Sequence, residues 1–191
     1  MHPLHEIIGK EIEQNLPSGC ALIKDKINIS GRRSTGKPIQ LNSFVSSLQL
    51  LFLDKEYSKL SNKDKLSFLK TYWTVIKDLF PQAFDKRLGK EYMLLKSLGV
   101  YSLHWLAKDI FQACLKQGDD FRKADTLGSI LIQIRSFDWH TKTSPLSALG
   151  RMKGASKAHD LLLTALNRKV EIADDKQTLQ NYLMDGHSPR A

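Results

Sequence analysis

Only two of the 191 residues are cysteine, Cys20 and Cys114, and no C-x-x-C or paired Cys/His spacing accompanies them. That excludes a disulfide-stapled secreted framework and a structural zinc finger, and it suits two reduced, buried thiols in a cytosolic protein. No stretch is long or apolar enough to span a bilayer. The first residues, Met1 to Glu6, carry no basic stretch followed by an apolar one, so the expectation is a cytoplasmic protein with no membrane contact. Also missing are paired carboxylates, G-x-S-x-G and H-E-x-x-H, and with them the usual signatures of glycosidases, α/β-hydrolases and zinc proteases. No internal repeat is present.

What the chain has is helical periodicity and positive charge. Leu66, Leu69, Trp73, Ile76 and Phe80 recur at steps of three and four until Pro81, and Val100, Leu103, Ala107, Ile110 and Cys114 do so until Gly118. Phe111 widens the second stripe. These two helices, joined by a shorter helical element over about Glu91 to Leu98, are expected to form the core. Before them, Leu41, Phe44, Val45, Leu48, Leu51 and Phe52 predict a helix with Asn42 or Ser43 as cap, followed by a polar connection from Asp54 to Asn62. After them, Ala124, Leu127, Leu131, Ile134 and Phe137 predict another helix capped by Asp119 or Asp120. Asp138 to Leu146 breaks the pattern, and Ala158, Leu161, Leu162, Ala165 and Leu166 restore it.

Near the N-terminus, a short amphipathic helix over His5 to Leu16 ends at Pro17. Ile27 and Ile29 then alternate with polar neighbours, predicting strand in a hairpin turning at Lys24 to Lys26, or another strand pair. The expected fold is mainly α: one helical domain over residues 1–170 with that small β element, and an acidic, partly disordered tail over 171–191. Within the domain, residues 1–19 form the N-terminal helix and linker, 20–40 the strand pair and basic loop, and 41–170 the helical core.

The net charge is +9, and two segments, Lys24 to Lys37 and His140 to Lys169, together carry the entire excess. Such segregation points to a polyanion, nucleic acid first, because cations placed on phosphates release condensed counterions. The candidate contacts are Lys24, Lys26, Arg32, Arg33 and Lys37 in the first segment. In the second they are Lys142, Arg151, Lys153, Ser156 and Lys157, where a glycine-rich turn, Gly150 to Gly154, opens a helix whose N-terminal amides can grip phosphate. An ordinary solvated helix start is the alternative. The loop Ser30 to Pro38 approaches G-x-x-x-x-G-K-[ST] but ends in Pro38, which lacks the hydroxyl that ligates magnesium, so nucleotide hydrolysis is excluded.

Other side chains are weaker candidates. His104 reads as a surface or boundary histidine rather than a general base, since no partner or cleft is evident. Asp138 and His140 flank Trp139 and are the only pair suggesting a metal or proton-transfer dyad. Trp73 reads as core, and Trp139 as the tryptophan available for stacking on a base.

The order of these features resembles a known family. Ile27 to Ile39 followed by helix, Leu69 to Trp73 with Ile76 to Pro81, Leu95 to His104, and Trp139 before Gly150 to Gly154 together resemble the C-terminal half of the DGQHR-domain family, which includes the DndB-like proteins. The likeness covers about Cys20 to Lys169. It lacks the D-G-Q-H-R string itself; the nearest, Asp185 to Arg190, lies at the other end of the chain. The resemblance implies a DNA-binding regulatory or accessory protein of a DNA-modification or phage-defence system, without enzymatic activity or cofactor, on the backbone of double-stranded DNA. The alternatives are an interaction scaffold that docks a partner protein of such a system, and a metal-dependent nuclease centred on Asp138 and His140.

Overall fold

The computed structural model describes residues 26–28, 36–150 and 152–167. Its fold is mainly α, as the periodicity predicts. The predicted N-terminal helix, the acidic tail and most of the basic loop lie outside the described residues.

Strands β1 (Ile27–Asn28) and β2 (Ile39–Gln40) pair in parallel, with Ile27 opposite Ile39. Of the two expected β arrangements the strand pair is the one the described residues form, and most of the expected hairpin at Lys24 to Lys26 lies outside them. Parallel partners cannot be joined by a tight turn, and ten residues of sequence separate Asn28 from Ile39. Helix α1 (Leu41–Phe52) follows at once, with Gln40 at its cap position, while Asn42 and Ser43 fall inside the first turn. The connection from Asp54 contains a short helix, α2 (Lys55–Lys59). The Asp54 carboxylate accepts from the amides of Glu56 and Tyr57 at 3.0 and 3.1 Å.

Helix α3 (Asn62–Leu79) is capped by Ser61, whose hydroxyl accepts from the Asp64 amide at 3.1 Å and donates to the Asp64 carboxylate at 2.7 Å. Its buried face is Phe68, Tyr72, Trp73, Val75 and Ile76, rotated from the predicted stripe, with Leu66 and Leu69 only partly covered. Aromatic rings account for the rotation: Phe68 lies 5.7 Å from Phe111 and 5.9 Å from both Tyr57 and Phe121. Pro81 stops α3 by starting a new single turn, α4 (Pro81–Phe84).

No helix spans Glu91 to Leu98. A 3₁₀ turn (Leu88–Glu91) leads into an isolated antiparallel bridge between Tyr92 and His140, and the Met93 amide donates to the Trp139 carbonyl at 2.7 Å. Helix α5 (Ser97–Gln117) then carries the core, and Gly118, at φ 73°, closes it as expected. At Gly99 a Cβ would lie 2.3 Å from the Leu94 carbonyl oxygen, so the first turn of α5 sits hard against the turn at residues 93–96 that precedes it. Helix α6 (Ala124–Leu131) extends into a 3₁₀ turn (Ile132–Ile134). It starts after Lys123, because Asp120 caps the preceding turn at the Arg122 amide instead. Residues 152–167 form α7.

Cross-helix contacts fix the directions. Ser43, Ser47 and Asp54 along α1 and its end meet Ser97, His104 and Gln112 along α5, so the two run parallel. Gly154 packs on Leu98 and His159 on Trp105 and Asp109, so α7 is parallel to α5 as well. In α3, Phe68 meets Phe111 and Trp73 meets His104, which makes α3 the antiparallel return stroke. Cys114 is buried and reduced, as expected, while Cys20 lies outside the described residues. Among the described residues no helix is long and apolar enough to cross a membrane.

A candidate polyanion-binding end

Because α1, α5 and α7 run the same way, their N-termini gather at one end. The Ser97 hydroxyl, at the start of α5, donates to the Ser43 hydroxyl in the first turn of α1 at 3.3 Å. Leu98 meets Gly154 in the first turn of α7, where a Cβ would come within 2.3 Å of the leucine Cδ1. Each N-terminus presents unpaired amides and roughly half a positive charge. Neither α1 nor α5 has a side-chain cap or an acid in its first turn. Helix α7 opens Met152, Lys153, Gly154, Ala155, with no acid before Asp160. Lysines stand there instead: Lys37 before β2, Lys96 at the α5 cap position, and Lys153 and Lys157 exposed on α7.

Three carboxylates toward this end are engaged. Asp85 accepts from the amides of Leu88 and Arg87 at 2.9 and 2.7 Å, and these bonds hold its carboxyl below the usual range. Asp138 accepts from the Thr143 hydroxyl at 2.7 Å and the His140 amide at 2.8 Å, with the same result. Glu91 lies 3.3 Å from His140 Nε2.

The sequence-predicted contacts divide as follows. Lys37, Lys153, Ser156 and Lys157 belong to this end, and all but the half-buried Lys37 are exposed. Lys142 is exposed on the loop that bridges to Tyr92. Lys26 has another task, since its ammonium donates to the Phe84 carbonyl at 2.8 Å and closes the end of α4. Lys24, Arg32, Arg33 and Arg151 lie outside the described residues. Gly150 rather than Gly154 or Ser156 precedes the helix, its carbonyl accepting from the Gly154 amide at 2.7 Å.

Two expectations about aromatic and titratable groups are overturned. Trp139, read as the base-stacking ring, is 1% exposed, clamped between Phe137 at 4.6 Å and Phe80 at 6.3 Å. His104, read as a surface or boundary residue, is fully buried. Its Nε2 lies 3.1 Å from the Trp73 indole nitrogen and its Nδ1 2.6 Å from the Ser47 hydroxyl. An indole can only donate, so Nε2 must accept, the proton sits on Nδ1, and Nδ1 donates to Ser47. Ser47 in turn donates to the Phe44 carbonyl at 2.8 Å. Burial pushes the imidazole down to about 3, so it is neutral across the physiological range. A serine that already accepts from the histidine cannot be activated by it; this chain ties three helices together and attacks nothing. Trp73 is core, as expected.

The Asp138 and His140 pair is a turn. Both carboxylate oxygens bond locally, and among the described residues no three His, Cys, Asp or Glu side chains converge as a metal site needs. An open cleft of about 330 Å³ beside Ile134, Phe137, Leu161 and Ala165 contains one carboxylate, the same engaged Asp138. Comparison with protein-family models, with curated proteins and with solved structures found no match to the chain.

Proposed function

We propose that the protein is a non-enzymatic DNA-binding factor that holds backbone phosphates at the end where α1, α5 and α7 begin. One observation carries this reading: three aligned helix N-termini without an acid in the first turn, two of them, α1 and α5, also without a side-chain cap, with Lys96 and Lys153 among them. Backbone amides and cations suit phosphate oxygens of any sequence, so contacts of this kind give register and affinity rather than base preference. Lys37 precedes β2, which leads into α1, and Gly150 precedes α7, so the described parts of both basic segments lie at this end. The resemblance to the DGQHR-domain family supports a regulatory or accessory role in a DNA-modification or defence system.

Anisotropy titrations with a duplex of about 20 base pairs, over a range of salt, test the proposal. Affinity should fall steeply with salt, and the double variant Lys96→Gln, Lys153→Gln should flatten the log-log slope by about two. A salt-indifferent affinity would remove the idea.

A second reading rests on Leu149 and Met152, which are 38% and 54% exposed at the same end. Apolar side chains of that size suit a protein partner, in keeping with a scaffold role. Replacing both with serine would abolish partner docking and leave the salt-dependent DNA affinity intact.

A further inference from the structure

Tyr101, Trp105 and Lys108 follow one another along α5 at steps of four and three, and so share one strip of the helix. Between Leu98 and Ala107, Tyr101 and Trp105 are the only positions of α5 that are not buried. Trp73 and Trp139 are sealed at 1% exposure each, which leaves Trp105 as the tryptophan that reaches the surface. Its ring meets Tyr101 edge to face at 5.9 Å and 79°, and His159 of α7 at 5.9 Å and 85°. Asp109 holds His159 in place, with Oδ2 2.6 Å from Nε2. The strip starts one turn of helix, about 5.4 Å, beyond the N-terminus of α5.

We infer that the strip of Tyr101, Trp105 and His159 stacks unpaired bases of a DNA strand whose phosphates lie on the adjoining helix ends. This rests on the DNA reading above and narrows its substrate to DNA with a single-stranded stretch. The faces of paired bases are hidden in the duplex stack, so rings fixed on a helix can reach them only where a strand is unpaired. A cationic groove followed by aromatic platforms is the arrangement that binds single strands with little sequence preference. An edge-to-face contact covers the face of only one ring of each pair, so the strip keeps faces to offer. Lys108 extends the strip with a cation one turn further along.

Tryptophan fluorescence provides the test, because the two sealed indoles leave Trp105 as the one a bound base can touch. An oligothymidylate of about 12 nucleotides should quench the emission, whereas an abasic sugar-phosphate strand of the same length and a duplex should not. Trp105→Leu should lose about tenfold or more in affinity for the oligothymidylate while binding duplex as before. Equal binding of the thymidylate and abasic strands, or no quenching on saturation, overturns the inference and leaves the DNA reading standing. Failure of single strand and duplex alike to bind overturns the DNA reading itself. Should Trp105→Leu not fold, judged by circular dichroism, the quenching comparison on the native chain still decides.

Discussion

The two ends of the bundle treat their helix starts in opposite ways. At the far end Asp54 caps α2, Ser61 and Asp64 cap α3, Asp125 sits in the first turn of α6, and Arg122 bridges Asp64 and Asp120 at 3.1 and 2.9 Å. At the near end α1 and α5 start without side-chain caps or acids, α7 starts with a lysine in its first turn, and the three N-termini face the same way. The chain thus has the residues to cap a helix and uses them at the far end for α2 and α3. Bare starts are confined to the end where three dipoles add, which is where an anion gains most.

The largest expected effect asks whether the near end is rigid. In Gly99→Ala the new methyl would meet the Leu94 and Met93 carbonyl oxygens at 2.3 and 2.6 Å, backbone that cannot step aside. We expect a loss of about 3 kcal/mol in chemical denaturation. Gly154→Ala meets only the tip of Leu98, which can turn away, and should cost about 1 kcal/mol. Equal costs would mean that the near end is loosely packed, and a loose end cannot hold three dipoles in register.

A second experiment addresses the buried chain that joins the helices between the two ends. The His104 imidazole has its folded value depressed to about 3 from an ordinary 6.5, so below the ordinary value the unfolded chain binds a proton that the folded chain refuses. Its stabilising contribution is complete above about pH 6.5 and is lost as pH falls toward 3, at up to about 1.4 kcal/mol per unit. Replacing His104 with asparagine should flatten the stability profile between about pH 6 and 4 relative to the native chain. An unchanged profile would mean that the imidazole is not sealed. The carboxyls of Asp64, Asp85, Asp120 and Asp138, all held low by hydrogen bonds, keep their stabilising contribution throughout that window and lose it only at lower pH, below the ordinary carboxyl value.

The smallest effect sharpens the contrast most. Asp54→Ala at the far end should cost about 1 kcal/mol and leave DNA affinity untouched. Lys96→Asp, which supplies α5 with the missing cap, should gain about 0.5 kcal/mol in stability while DNA affinity falls several-fold. If stability and affinity moved together, the bare helix starts would have no binding role.

Much of the helical frame was legible because it is local. Pro81 and Gly118 mark the ends of α3 and α5 to within a residue or two, while α5 begins at Ser97, three residues before the expected Val100. What failed depends on partners distant in sequence. His104 read as surface or boundary because polar residues normally are, yet it is satisfied inside the core, by Ser47, 57 positions away, and by Trp73, 31 positions away. Trp139 was misread for a similar reason, since its polar loop folds down over Phe80. The basic character of the candidate site could be read from composition. Its geometry could not, because no local pattern says that α1, α5 and α7 point the same way.

The return stroke of α3 has one further consequence. Turnarounds at the capped end are brief, residues 53–61 and 118–123, whereas those at the bare end, 80–96 and 135–150, are long and lie outside the main helices. Length and composition in those longer connections can drift over generations while the helical frame stays put. Related chains could therefore acquire new target preferences by rewriting two surface segments, with the interior inherited unchanged.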